Sequence, residues 1–286
     1  MSAARLASAA EPGFFGPASV TRKIHANPIM LVGGLRALLI QALHPLAMAG
    51  VAQYSDFRSD PAKRLRGTAR YVHTVVYGTE ASARAAAARI RHIHERVRGI
   101  DRVTGRPFSA NDPALLTWVH CVEIHSFLAA YRAYGGRLTR AERDRYLAEQ
   151  VVAGELIGIP RASIPASVDE YRAFFAARLP ELCASSDARA TIDFVRQPSI
   201  PGPTWQKLAL APLSRTLGQA ATALVPRSLR HLAGLPPRGP RDLPAAAAVI
   251  VASQAIMATR FVPPLGAAVG AGVGRLLGID DMVVAA

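Results

Sequence analysis

Apolar residues run almost without a break through MLVGGLRALLIQALHPLAMAGVA, residues 30–52. A helix that is apolar on nearly every side belongs at the centre of a fold. The pattern predicts one helix over 29–52, kinked at His44-Pro45 because Pro45 has no N–H for the Gln41 carbonyl. The polar stretch QYSDFRSD, 53–60, then gives way to a second helix that starts at Pro61 and runs to about Tyr77. Gly78 closes it, and Thr79 caps a third helix, expected to end at about Arg98 before Gly99.

The rest of the chain keeps the same habit. Residues 101–113 are rich in turn formers and predict a loop. A long apolar helix follows over 114–134, ended by Gly135-Gly136. Thr139 and Glu142 have capping-box spacing for a helix over 140–157. Further helices are expected at 169–179 and 186–195, with PSIPGP, 198–203, as a boundary and helical segments beyond it. No strand run and no repeat period is expected. The predicted fold is all-α: a single large helical bundle. Residues 1–28 read as an irregular leader, 29–235 as the main helical domain and 236–286 as an apolar helical extension.

Composition narrows the options. Aromatics make up 6% of the chain, which with abundant Ala, Leu and Arg favours helix over strand. The formal net charge is +14. The arginines are scattered along helices, and neither zinc-finger spacing nor an aromatic RNA-binding signature is present, so no nucleic-acid partner is expected. Cys121 and Cys183 form no disulfide framework and suit neither a zinc site nor a redox pair; Cys121 is expected to pack inside its apolar helix. The first residues lack a signal-peptide core and a twin arginine, giving the expectation of a cytoplasmic protein. The most apolar segments, 244–258 and 262–279, are shorter than a spanning helix and interrupted by Pro263-Pro264, so peripheral membrane contact through 244–279 is an alternative to burial.

Candidate chemistry rests on the histidines. In RIRHIHERVRG, 89–99, helical spacing puts His94 on a face with Ala83, Ala86, Ala87, Ile90 and Val97, while His92 joins Arg91, Glu95 and Arg96. His94 therefore points inward and His92 outward. An inward imidazole is either a core histidine bonded to a carbonyl or an axial ligand whose other nitrogen is hydrogen-bonded. His44, at the kink, either bonds the freed Gln41 carbonyl or belongs to a site. His120 and Glu123 have the His-x-x-Glu spacing of a di-iron helix, but such a site needs a second copy and two more carboxylates. A structural pair is the expected role of these two. Arg64 and Thr68, at i and i+4, offer one positive group and one hydroxyl on a shared face.

The segments 38–78, 89–99 and 105–135, in this order and spacing, resemble one family. It is that of the latex clearing protein, a rubber oxygenase, and the membrane-associated oxygenase of mycophenolic acid biosynthesis, with mostly actinobacterial members. The resemblance covers roughly residues 30–235. It implies a helical fold around haem b, with His94 at the position of the proximal iron ligand. The family's Arg-x-x-Lys-Thr motif matches Arg64, Gly67 and Thr68, so the lysine is absent, and no residue matches the distal glutamate of the rubber-cleaving members. Rubber cleavage is therefore not expected. What the resemblance implies is a haem-dependent oxygenase or related oxidoreductase with an apolar or lipid-like substrate. Its distal polarity would come from Arg64, Thr68 and His44, its metal ligand would be His94, and His120 would be a fallback. The alternative is a non-enzymatic haem- or lipid-binding protein at the membrane surface.

Overall fold

The computed structural model describes residues 12–55, 60–198 and 203–259. They form an all-α bundle with one small hairpin. In chain order the helices are α1 Val20–His25, α2 Met30–Gln41, α3 Pro45–Tyr54, α4 Pro61–Tyr77 and α5 Glu80–His94. The strands β1 Arg98–Ile100 and β2 Pro107–Ser109 follow. Then come α6 Pro113–Ala130, which continues into a π turn at Tyr131–Gly135, α7 Arg140–Glu149, α8 Val151–Leu156, α9 Val168–Arg178 and α10 Ser186–Arg196. Last are α11 Thr204–Ala223, α12 Arg227–Leu232 and α13 Leu243–Ala258.

Local chemistry sets most of these boundaries. Asp60 accepts the Lys63 N–H at 2.9 Å and Pro61 opens α4, a residue whose missing N–H costs nothing there. Thr79 caps α5 through the Ser82 N–H, and Asp112 caps α6 through the Ala114 N–H. The Thr139–Glu142 capping box forms as the spacing predicts. The α1 helix lies within the stretch expected to be irregular. Ser19 caps it, and the Glu149 carboxylate of α7 accepts the Val20 and Thr21 N–H groups at 3.2 and 2.8 Å. A long-range carboxylate holding a helix start leaves no local sequence signal.

The core is built on α6, whose Trp118, Cys121, Val122, Ile124 and Leu128 are all buried. Against it lies α2. A Cβ on Gly33 would come within 2.8 Å of Phe127 Cδ1 and 3.0 Å of Phe127 Cα, so the two helices touch backbone to side-chain root. Val32, Leu39, Ile40 and Leu43 complete this cluster with Tyr146 of α7 and Ile192 of α10. A smaller cluster joins Val75 of α4, Ala83 and Ala87 of α5, and Ala153 and Leu156 of α8, with Phe15.

Three expectations need correction. The predicted kinked helix over 29–52 is two helices, α2 and α3, bent by 107°. The Gln41 carbonyl that Pro45 cannot serve is taken by the His44 N–H at 3.2 Å, and extended backbone at His44 turns the chain. The third helix stops at His94, not Arg98, because Arg98–Ile100 pairs antiparallel with Pro107–Ser109 where only a loop was expected. Three-residue strands are too short to show an alternating pattern. The fifth helix is divided at Gln150, whose side chain turns to the Thr21 hydroxyl at 2.9 Å. Of the two apolar C-terminal segments, 244–258 lies in α13, while 262–279 is outside the described residues.

Candidate functional site

The site begins with the end of α5. His94 is its last residue, and His92, two positions earlier, is exposed and pairs with Glu95 at 3.0 Å. His94 is half-buried. Among the described residues neither ring nitrogen meets a hydrogen-bond partner within normal geometry; Nδ1 is fully covered, whereas Nε2 keeps some accessible surface. Burial lowers its pKa below the ordinary imidazole value, with the Asn111 side chain acting the other way. The ring is neutral near pH 7, the form that ligates a metal.

The helical hairpin of α4 and α5 brings Arg64 and His94 to one end. The connection is only Gly78-Thr79. Arg64 lies thirteen residues before Tyr77 and His94 fourteen after Glu80, which at about 1.5 Å per residue is roughly 20 Å from the turn in each case. Arg64 is half-buried, donates to the Ser55 hydroxyl, and has its pKa lowered by burial. Thr68, one turn along α4, is exposed, and nothing lies within 4 Å of a Cβ built on Gly67 between them.

The other two predicted histidines lie elsewhere. His44 is buried at the start of α3. Its Nδ1 accepts the Ala47 N–H at 3.5 Å and its Nε2 lies 3.5 Å from Glu181 Oε2, so both nitrogens face protein groups. His120 is buried in the middle of α6, and burial pushes its pKa down to about 4, the Gln150 backbone acting the other way. Its Nε2 has no partner, but a Cβ on Gly154 of α8 would lie 3.2 Å from it. That nitrogen is buried beside the backbone of a neighbouring helix.

The expected His120–Glu123 pair is not formed. Glu123 has no hydrogen bond and no ion pair among the described residues, and burial pushes its pKa up to about 7. Charge on Glu123 raises the pKa values of Tyr71 on α4 and Tyr146 on α7, which places these groups within electrostatic reach of one another. Among the described residues no group of three or more His, Cys, Asp or Glu side chains is arranged to hold a metal ion. A carboxylate-rich di-iron centre therefore has no support here. The alanine face shared with His94 is closed by packing, since Ala83 and Ala87 are fully covered.

Sequence reasoning missed two residues. Arg36, 1% exposed, donates to the Leu224 carbonyl at 3.0 Å and the Ser126 hydroxyl at 2.6 Å, tying α2 to α6 and to the end of α11. Burial lowers its pKa to about 9, with Arg238 adding to the shift. The other is Asn111, in the turn between β2 and α6. Its Nδ2 donates to the Arg91 carbonyl at 3.0 Å, and its Oδ1 is buried without another partner. A single Asn in a turn carries no periodic signal.

The family model described as ER-bound oxygenase mpaB/B'/rubber oxygenase, catalytic domain, matches residues 22–255. The chain belongs to this family. The match runs from within α1 to within α13, so His94, Arg64 and Thr68 all lie inside the oxygenase catalytic domain, as do His44 and His120. It also reaches most of α13, beyond the region that the motifs alone cover. No curated protein and no solved structure matches the chain.

Proposed function

We propose that this protein is a haem b-dependent oxygenase acting on an apolar or lipid-like substrate, with His94 as the protein ligand to iron. The observation that carries the reading is the asymmetry of that imidazole within an oxygenase catalytic domain. It is neutral, its Nδ1 is covered, and its Nε2 is not fully covered and has no partner among the described residues. This is the donor that a haem held by one protein nitrogen requires, and His120 and His44 lack it because their outer nitrogens are covered or engaged. Haem bound through one imidazole supplies the binding and activation of dioxygen. Arg64, at the same end of the hairpin, would supply positive charge and hydrogen-bond donors beside the site, and Thr68 a hydroxyl. Protein produced with iron and a haem precursor should carry stoichiometric porphyrin by the pyridine haemochromogen assay. Porphyrin-free protein that also fails to bind added haemin overturns the reading.

A second reading, contact with a membrane surface, is favoured by α13. The segment read from the sequence as shorter than a spanning helix is extended by the turn at 240–242, so that residues 240–258 are long and apolar enough to cross a membrane, and only 17% of that stretch is buried. Ala245, Val249 and Ser253 are nevertheless packed into the bundle, and Ser253 donates to Asn27 Oδ1 at 2.9 Å. One face is thus committed to the core, which favours a helix lying on a surface over one crossing it. Trp205 and Leu208 of the neighbouring α11 are each 71% exposed, and the chain carries a net charge of +14.

A further inference from the structure

We propose that Asn111 orients the His94 imidazole: its side-chain carbonyl accepts the Nδ1 proton, which fixes the ring's rotation and tautomer and leaves the Nε2 lone pair for iron. The part that concerns iron rests on the reading above; the tautomer does not.

Two buried polar atoms carry the argument. His94 Nδ1 and Asn111 Oδ1 are both covered by protein, and neither has a hydrogen-bond partner among the described residues. Buried polar atoms pair where they can. Asn111 already reaches the end of α5 through Nδ2 and the Arg91 carbonyl, three residues before the ring, and its side chain acts on the His94 imidazole, so each orphaned atom is the other's available partner.

The amide's orientation follows from its other end. Nδ2 donates to the Arg91 carbonyl at 3.0 Å, in the last turn of α5. That carbonyl also accepts the Glu95 N–H at 3.1 Å, so both of its lone pairs are used. The end of Asn111 left for the ring is therefore the oxygen. An amide oxygen only accepts, so His94 Nδ1 must be the donor.

The main chain holds Asn111 in place from both sides. Its own N–H points to the Ser109 hydroxyl at 3.3 Å, and the next N–H, of Asp112, donates to the Ser109 carbonyl at 3.0 Å. Asp112 then caps α6 through the Ala114 N–H at 2.7 Å. The residue is thus fixed between β2 and the start of the central helix, and it reads the end of α5 through two contacts three residues apart. A partner that sets the tautomer of a ligating histidine also raises its basicity, and losing such a partner typically lowers metal affinity by about 10–100-fold.

The test compares full-length wild type with Asn111→Ala and Asn111→Asp. In the haem-free protein near pH 7, long-range nitrogen NMR should find His94 protonated on Nδ1. Asn111→Ala should shift it toward the Nε2-protonated form, and Asn111→Asp, which keeps an acceptor but loses the Arg91 bond, should retain Nδ1–H. In the haem-loaded ferrous protein the iron–imidazole stretch should fall in Asn111→Ala and rise in Asn111→Asp. Haem should leave the alanine variant about tenfold faster or more. An Nε2-protonated wild type, or two variants that move together or not at all, overturns the proposal. Because the tautomer is read without haem, failure of the oxygenase reading shows separately, as absence of haem binding in wild type.

Discussion

His94 and His120 are neutral near pH 7 for the same reason, burial. They differ in which nitrogen is covered, and only His94 keeps Nε2 open. Helical spacing was enough to place His94 inward and His92 outward, because a helix fixes direction from sequence separation alone. It could not separate His44 bonding the freed Gln41 carbonyl from His44 as a site residue, since both readings start from the missing N–H of Pro45. It also could not find Asn111, whose partner is set by a turn. The half-buried Glu123 gives a pH prediction of definite sign. Its folded pKa of about 7 lies above its ordinary 4.5, so the folded chain binds the extra proton, and stability is lost as pH rises across that window. Glu123→Gln should therefore stabilise the protein at pH 8 and do so much less at pH 4.5, read as urea midpoints; an equal effect at both pH values would contradict this. His25 and His120, lowered to about 4, and His125, lowered to about 3, all chiefly by loss of solvent, have the opposite sign. They must be neutral to stay folded, so they withdraw stability as pH falls below about 6.5.

At the scale of elements, the pairing of α2 with α6 dominates, and Gly33 is where it is closest. A methyl group there would press on the root of Phe127, which backbone contact prevents from moving aside. Gly33→Ala should destabilise the fold by about 1–3 kcal/mol through overpacking. The same change at Gly34, where a Cβ meets nothing within 4 Å, should be neutral or stabilising. Equal denaturation midpoints for the two variants would refute the close approach. The helices themselves were legible from period and caps: α4, α6, α9 and α10 begin within one residue of their expected starts. The missed breaks share a cause. At Gln41–His44 and at Gln150 the chain turns because side chains find partners distant in sequence or because one carbonyl changes donor, and apolar period does not register either event. The turn of the β1–β2 hairpin is braced by Asp101, whose carboxylate takes the Val103 and Thr104 N–H groups at 3.2 and 2.8 Å.

For the molecule as a whole, the oxygenase catalytic domain spans residues 22–255 and includes most of α13. The membrane proposal therefore concerns the outer face of a helix that belongs to the domain. Leu243 and Val251 are exposed on α13, so replacing both by Glu leaves the buried Ala245, Val249 and Ser253 in place. That variant should float with phosphatidylglycerol vesicles at least severalfold less than wild type. Wild-type binding should weaken as salt is raised, because a basic protein is drawn by a screened field. Flotation unchanged by the substitutions would remove α13 from any such contact. The account as a whole rests on His94 holding haem iron. The most direct test is the absorption spectrum of the full-length protein with equimolar haemin, wild type against His94→Ala and His120→Ala. The account predicts a bound-haem Soret band in wild type and His120→Ala, and its loss in His94→Ala. A band that survives in His94→Ala and disappears in His120→Ala would contradict it.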